Sequence, residues 1–157
     1  MDAYADFIEE AGRGPFRIPA DGGWTAEQIV AHVAATNERL IVTTEAVLAG
    51  HDASYDNREA IGAAALRAYA ASYGGLRGLA DRVAITVAVL RDLTGQLGPL
   101  GDTPVPSRIQ DGDRVVLDAP TPWAQVLEAN ATRHTRAHLE QLRALRQHGK
   151  PAPGQGT

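Results

Sequence analysis

Apolar positions recur at helical spacing along most of the chain. Tyr4, Phe7, Ile8 and Ala11 share one face, which predicts a first helix over 2–11 that ends at Gly12, Gly14 and Pro15. The second segment has the best-marked start. Thr25 can cap it while Gln28 reaches back in a capping box, and Trp24 with Ile29 forms a hydrophobic staple. Ile29, Val33, Leu40, Val47 and Leu48 carry its stripe to Ala49, and Gly50 stops it, so a helix over 25–49 is expected. Asp56 with Glu59 marks a cap for a third, alanine-rich helix over 57–73. Gly74-Gly75 interrupts the pattern. Beyond it, Leu76, Leu79, Val83, Thr86, Leu90, Leu93 and Leu97 alternate spacings of three and four, as in the seam of a packed helix.

The period changes after Gly98. Residues 98–106 are rich in turn formers, and two β-branched runs flank Asp111-Gly112 within 105–118, which predicts a hairpin. A lone hairpin is marginal in water, so it must lie against the helices. Thr121 and Pro122 then offer a cap and a first-turn proline for the last helix, whose inner stripe is Leu127, Ala131, His134, His138, Leu142 and Leu145. The expected fold is all-α: a four-helix bundle with a small β-hairpin insertion before the last helix. One domain is expected over 1–148, with a flexible C-terminal tail over 149–157.

Composition supports helices. Aromatics make up 5%, so Ala, Val, Leu and Ile must build the core. With no cysteine there is no disulfide and no thiolate ligand, and any nucleophilic thiol must come from a small-molecule partner. The net charge of −4 gives no electrostatic reason to expect nucleic acid. The acidic, amphipathic start is unlike a signal peptide, and no apolar run approaches the roughly 20 residues of a membrane span. The expected compartment is the cytoplasm, with no membrane partner.

Candidate chemistry lies with the histidines. His134 and His138 stand one turn apart on one helix face. That spacing alone is not diagnostic, because it is common on solvated faces. Here Arg133, Arg136, Glu140, Arg143 and Arg146 lie outside the apolar stripe and both histidines inside it. An uncompensated polar group there costs free energy, and a bound divalent cation would take both neutral imidazoles. His32 sits on the inner stripe of the second helix, either as a core histidine bonded to a carbonyl or as a third ligand. Three protein ligands would leave a position open, the arrangement of catalytic metal. Asn130, one turn before His134, is a candidate cofactor-binding amide or an exposed helix-surface amide. Thr36 and Thr86 interrupt apolar seams and are expected to bond their own helix carbonyls. No side chain stands out as a general base.

The segment Gly23-Trp24-Thr25-Ala26-Glu27-Gln28-Ile29-Val30-Ala31-His32-Val33 resembles a signature of the DinB-like superfamily. Pro120-Thr121-Pro122-Trp123, continued through His134 to His138, resembles that superfamily's last helix with its paired histidines. The hairpin-like insertion is similar too, so the resemblance runs from about Gly22 to Arg146. It implies a four-helix bundle with a metal site of His32, His134 and His138 at one end. The superfamily includes thiol-dependent transferases and mycothiol-dependent maleylpyruvate isomerases. The isomerases typically carry glutamate where this chain has His134, so the maleylpyruvate reaction itself is not implied.

The function implied is that of a divalent-metal-binding protein. It would be a thiol-dependent transferase or isomerase, of the mycothiol or bacillithiol type, acting on a small electrophilic substrate. A metal-dependent hydrolase and a non-catalytic metal- or ligand-binding bundle are the alternatives. Zn²⁺ is the expected ion and Ni²⁺ the alternative, with a low-molecular-weight thiol as co-substrate. A homodimer is compatible with this reading.

Overall fold

The computed structural model describes residues 2–147, so the tail expected over 149–157 lies outside the described residues. The chain is predominantly helical with a small three-stranded sheet. Helices α1 (Ala3–Ala11), α2 (Ala26–Leu48), α3 (Ala63–Ser72) and α4 (Leu76–Leu97) precede the hairpin. Strands β1 (Tyr55–Asp56), β2 (Pro104–Asp111) and β3 (Arg114–Pro122) form one sheet in that order. The final helix runs as α5 (Trp123–Ala129), a π turn over Asn130–His134, and α6 (Thr135–Leu145). Among the described residues, no helix is long and apolar enough to cross a membrane.

Local chemistry sets the helix starts. The Asp2 carboxylate accepts the Tyr4 N–H at 3.1 Å and caps α1. At α2 the capping box is complete: the Gln28 N–H donates to Thr25 Oγ1 at 3.2 Å, and the Thr25 N–H to Gln28 Oε1 at 2.9 Å. Before α4, Gly74 and Gly75 take φ of 72° and 92°, which side-chain-bearing residues rarely adopt.

The third helix begins later than its alanine-rich pattern predicts. Tyr55 and Asp56 pair in parallel with Ser107 and Arg108 of β2, and Arg58–Ala60 is a short 3-10 turn. The Asp56 carboxylate caps only that turn, accepting the Arg58 N–H at 2.9 Å, and the α-helix starts at Ala63. The last helix also starts differently. Thr121 and Pro122 are the end of β3, and Thr121 Oγ1 donates to the Ala119 carbonyl at 3.2 Å instead of capping. The fold is therefore not purely helical. The hairpin is longer than expected and recruits β1 as a third strand.

Two apolar clusters make the core. One joins α1, the first half of α2, α3, α4 and α6, around Phe7, Val30, Leu79 and Leu142. The other joins the second half of α2, the end of α4, the sheet and α5, around Leu40, Tyr55, Val105 and Trp123. Between them lies a buried polar layer of Tyr4, Asn37, Thr86 and Asn130. Thr86 bonds its own helix carbonyls as expected, whereas buried Thr36 Oγ1 has no partner among the described residues.

Candidate metal centre

His32 projects from the second turn of α2 and is 2% exposed. Its Nδ1 lies 2.5 Å from the Ala60 carbonyl oxygen. A carbonyl only accepts, so Nδ1 carries the proton and Nε2 is a bare lone pair. His138 is fixed in the same way, with Nδ1 at 2.8 Å from Gln141 Oε1, three residues along the same helix. With Gln141 oriented to accept, His138 Nε2 is also a lone pair.

His134 stands between them. Its Nε2 lies 2.9 Å from His32 Nε2 and 3.1 Å from His138 Nε2, while its buried Nδ1 has no partner among the described residues. A neutral imidazole has one N–H to give. On Nε2 that proton serves the neighbouring lone pairs and leaves Nδ1 unpaired. On Nδ1 it is buried without an acceptor, and three lone pairs face one another. Neither tautomer satisfies the cluster.

A further proton does not solve this. Burial, reinforced by the neighbouring His138, lowers the His32 pKa to about 3, against a weaker upward pull from the Ala60 carbonyl. Burial, then the other two imidazoles, puts His134 well below its ordinary value. Burial also lowers His138, opposed by Gln141 and the Asp111 charge. Three neutral imidazoles at neutral pH are the form that a divalent cation binds.

Two of the three spacings fit such an ion. Metal–imidazole bonds of about 2.0–2.1 Å put adjacent ligand atoms roughly 2.9–3.4 Å apart, the lower value for octahedral and the upper for tetrahedral geometry. The 2.9 and 3.1 Å from His134 lie within that range, and with all three ligand atoms within 4.8 Å of one another, His32 and His138 would draw closer to share one ion. Ala60 and Gln141 are the outer partners that such a site needs to hold its rings. Trp24 closes one side, its ring 4.9 Å from that of His32 and stacked 6.2 Å from that of His138.

The imidazoles open on a cavity of about 780 Å³. Its walls mix apolar side chains, among them Trp24, Ile61 and Ile109, with Arg17, Gln110 and Asp111. That volume suits a small molecule.

The structure thus brings His32, His134 and His138 together, and Asn130 is not with them. Asn130 is neither at the imidazoles nor on the helix surface: its amide donates to Tyr4 Oη at 2.6 Å within the buried polar layer. The π turn explains its position. Thr135 Oγ1 donates to the Asn130 carbonyl at 2.7 Å across five residues, so the helix faces before and after this turn differ in phase. Sequence reasoning missed Gln141, which its spacing from His138 could have suggested, Asn57, which read as the first residue of the third helix, and Asp111, which read as a turn residue.

Compared with known proteins, the chain matches no family model, no curated protein and no solved structure.

Proposed function

We propose that the chain is a divalent-metal-binding protein of the DinB-like four-helix-bundle type. Its site ionises a low-molecular-weight thiol, which then attacks a small electrophile held in the adjoining cavity. The observation that carries this reading is the convergence of three neutral imidazole nitrogens whose hydrogen bonds cannot be completed within the protein. In the bundle reading, α1, α2, α4 and the α5–α6 helix are the four members, and α3 is an added short helix. The resemblance around Trp24, His32, His134 and His138 supports the same class.

His32, His134 and His138 would hold Zn²⁺ or Ni²⁺, which supplies Lewis acidity that lowers the pKa of a thiol or water bound beside it. The chain's own residues do the rest. Ala60 and Gln141 fix the tautomers that turn Nε2 inward. Trp24 shields one face from water, and Ile61 and Ile109 offer apolar surface to the electrophile's body. The chain lacks cysteine, so the sulfur belongs to the co-substrate.

The test starts with metal analysis of protein purified without chelator or nickel resin, where about one ion per chain is expected. The loaded protein is then assayed with monochlorobimane or a halonitrobenzene and with mycothiol, bacillithiol and glutathione in turn. Conjugation that disappears with the metal in His134→Ala supports the reading. Ester or amide cleavage without thiol conjugation moves it to a hydrolase. Tight metal binding with no reaction moves it to a binding protein.

A further inference from the structure

The reading above lacks a proton acceptor, and the hairpin supplies one. In β2 and β3, Ile109 pairs with Leu117 but Gln110 pairs with Val115, so Val116 is an extra residue. A bulge of this kind increases twist and re-aims the residues beyond it. Those residues are Gln110 and Asp111, at the end of β2, and both line the cavity that His134 and His138 share.

A second feature holds them there. Asn57, 5% exposed, binds the Gln110 backbone at two points: its amide donates to the Gln110 carbonyl at 2.9 Å, and the Gln110 N–H donates to its Oδ1 at 2.8 Å. One side chain thus extends β1 by a residue and fixes the arm that carries Asp111. The Asp111 side chain is exposed, and its carboxylate makes no hydrogen bond or ion pair among the described residues. Asp21, the other carboxylate on the cavity wall, accepts the Gly23 N–H at 3.0 Å.

We propose that Asp111 is the proton acceptor of the site, taking the proton from the nucleophile that ionises beside His134 and His138. This rests on the proposed function. The S–H bond of the thiol breaks, an O–H bond forms on Asp111, and the sulfur keeps the electron pair. That pair forms the C–S bond as the electrophile's leaving group departs with the pair of its own bond. The carboxyl then passes its proton to the leaving group or to water and is restored. Asn57 is a positioning residue. The other charged or titratable groups facing the space are Arg17 and Asp21 ahead of α2, His32 from α2, and His134 and His138 from the last helix. Asp113 and Arg114 lie on the same turn as Asp111.

The test uses the full chain loaded with cobalt(II), as wild type and as Asp111→Asn. The visible spectrum is titrated with pH, first in water and then with 2-mercaptoethanol. Both proteins should hold one cobalt per chain. Loss of a nearby negative charge should move ionisation of the bound ligand to lower pH by roughly 0.5–1 unit in the variant. In the conjugation assay, Asp111→Asn should lower kcat by roughly 10²–10³ and flatten the acid side of the pH profile, with Asp111→Glu partly restoring both. Asn57→Ala should act in the same direction more weakly. Identical titrations, an unchanged kcat, or loss of cobalt from Asp111→Asn would each overturn the proposal. If cobalt binds and the shift appears but nothing turns over, the transferase reading falls and Asp111 stands as proton acceptor for a bound ligand. If wild type binds no cobalt, both fall.

Discussion

Two groups of buried polar side chains interrupt the helical core, and they differ in whether their donors and acceptors match. Around Asn37 they do. Tyr4 Oη donates to Asn37 Oδ1 at 2.8 Å, Asn37 donates to Thr86 Oγ1 at 3.1 Å, and Thr86 passes its proton to the Val83 carbonyl at 3.0 Å. Asn130 closes the set through Tyr4. Around His134 they do not, because two lone pairs meet a third ring that cannot satisfy both. Burial costs both groups their hydration. A layer completed inside the protein holds helices together, whereas the imidazole cluster is left without a complete set of partners, the feature on which the proposed metal site rests.

The strongest way to break this contrast is His134→Ala. It should weaken cobalt or zinc binding by more than the roughly 10–100-fold that loss of an outer partner costs, as measured by chelator competition. The metal-free variant should be as resistant to urea as wild type or more so, since the mismatch is relieved. Wild-type affinity in the variant would end the metal reading. Asn37→Leu is the mirror experiment. It strips partners from Tyr4, Thr86 and Asn130 and should cost about 3 kcal/mol of stability in urea while binding one ion per chain as before. If it also loses the ion, the two layers are one unit.

pH should separate them as well. In the metal-free protein His32 has a folded pKa near 3 against an ordinary 6.5, so the unfolded chain binds protons more readily. Stability is then fully present above pH 6.5 and lost as pH falls toward 3, by up to about 2 kcal/mol between pH 6.5 and 5 for this one group. Tyr4, pushed up to about 12 chiefly by burial, does not titrate in that window. Asn37→Leu should therefore keep the wild-type pH slope and His32→Ala should flatten it, as read from urea midpoints between pH 5 and 8. The smallest effect belongs to Thr135→Val, which removes the bond to the Asn130 carbonyl and should cost about 1 kcal/mol with metal binding unchanged.

What the sequence made legible was local. The start of α2 is written in Thr25 and Gln28, within one turn of chain, and the capping box forms as read. The three histidines were legible because each stands on an apolar stripe, which needs only the helical period. The rest depended on partners distant in sequence. Asp56 carries the residue type of a helix cap, but β2, some fifty residues later, claims its backbone as a strand. Asp111 looks like a turn residue until Asn57 and the bulge give its arm a direction. Asn130 was misread because one unbroken period was carried through the last helix.

That wide turn has a consequence for how the chain can change length. The buried residues step from Asn130 to Thr135, and a regular α-helix has no such interval. One residue corresponds to about 100° of rotation. Deleting one between 131 and 133 would shorten that step from five residues to four, so the turn closes into ordinary helix with Trp123 and Val126 still in the core and the paired imidazoles still facing His32. A deletion elsewhere in the helix, between Trp123 and Ala129 or between His138 and Leu145, would instead rotate one half by about 100° against the other. The last helix carries one residue more than its two buried faces need, and the wide turn is where that slack is stored.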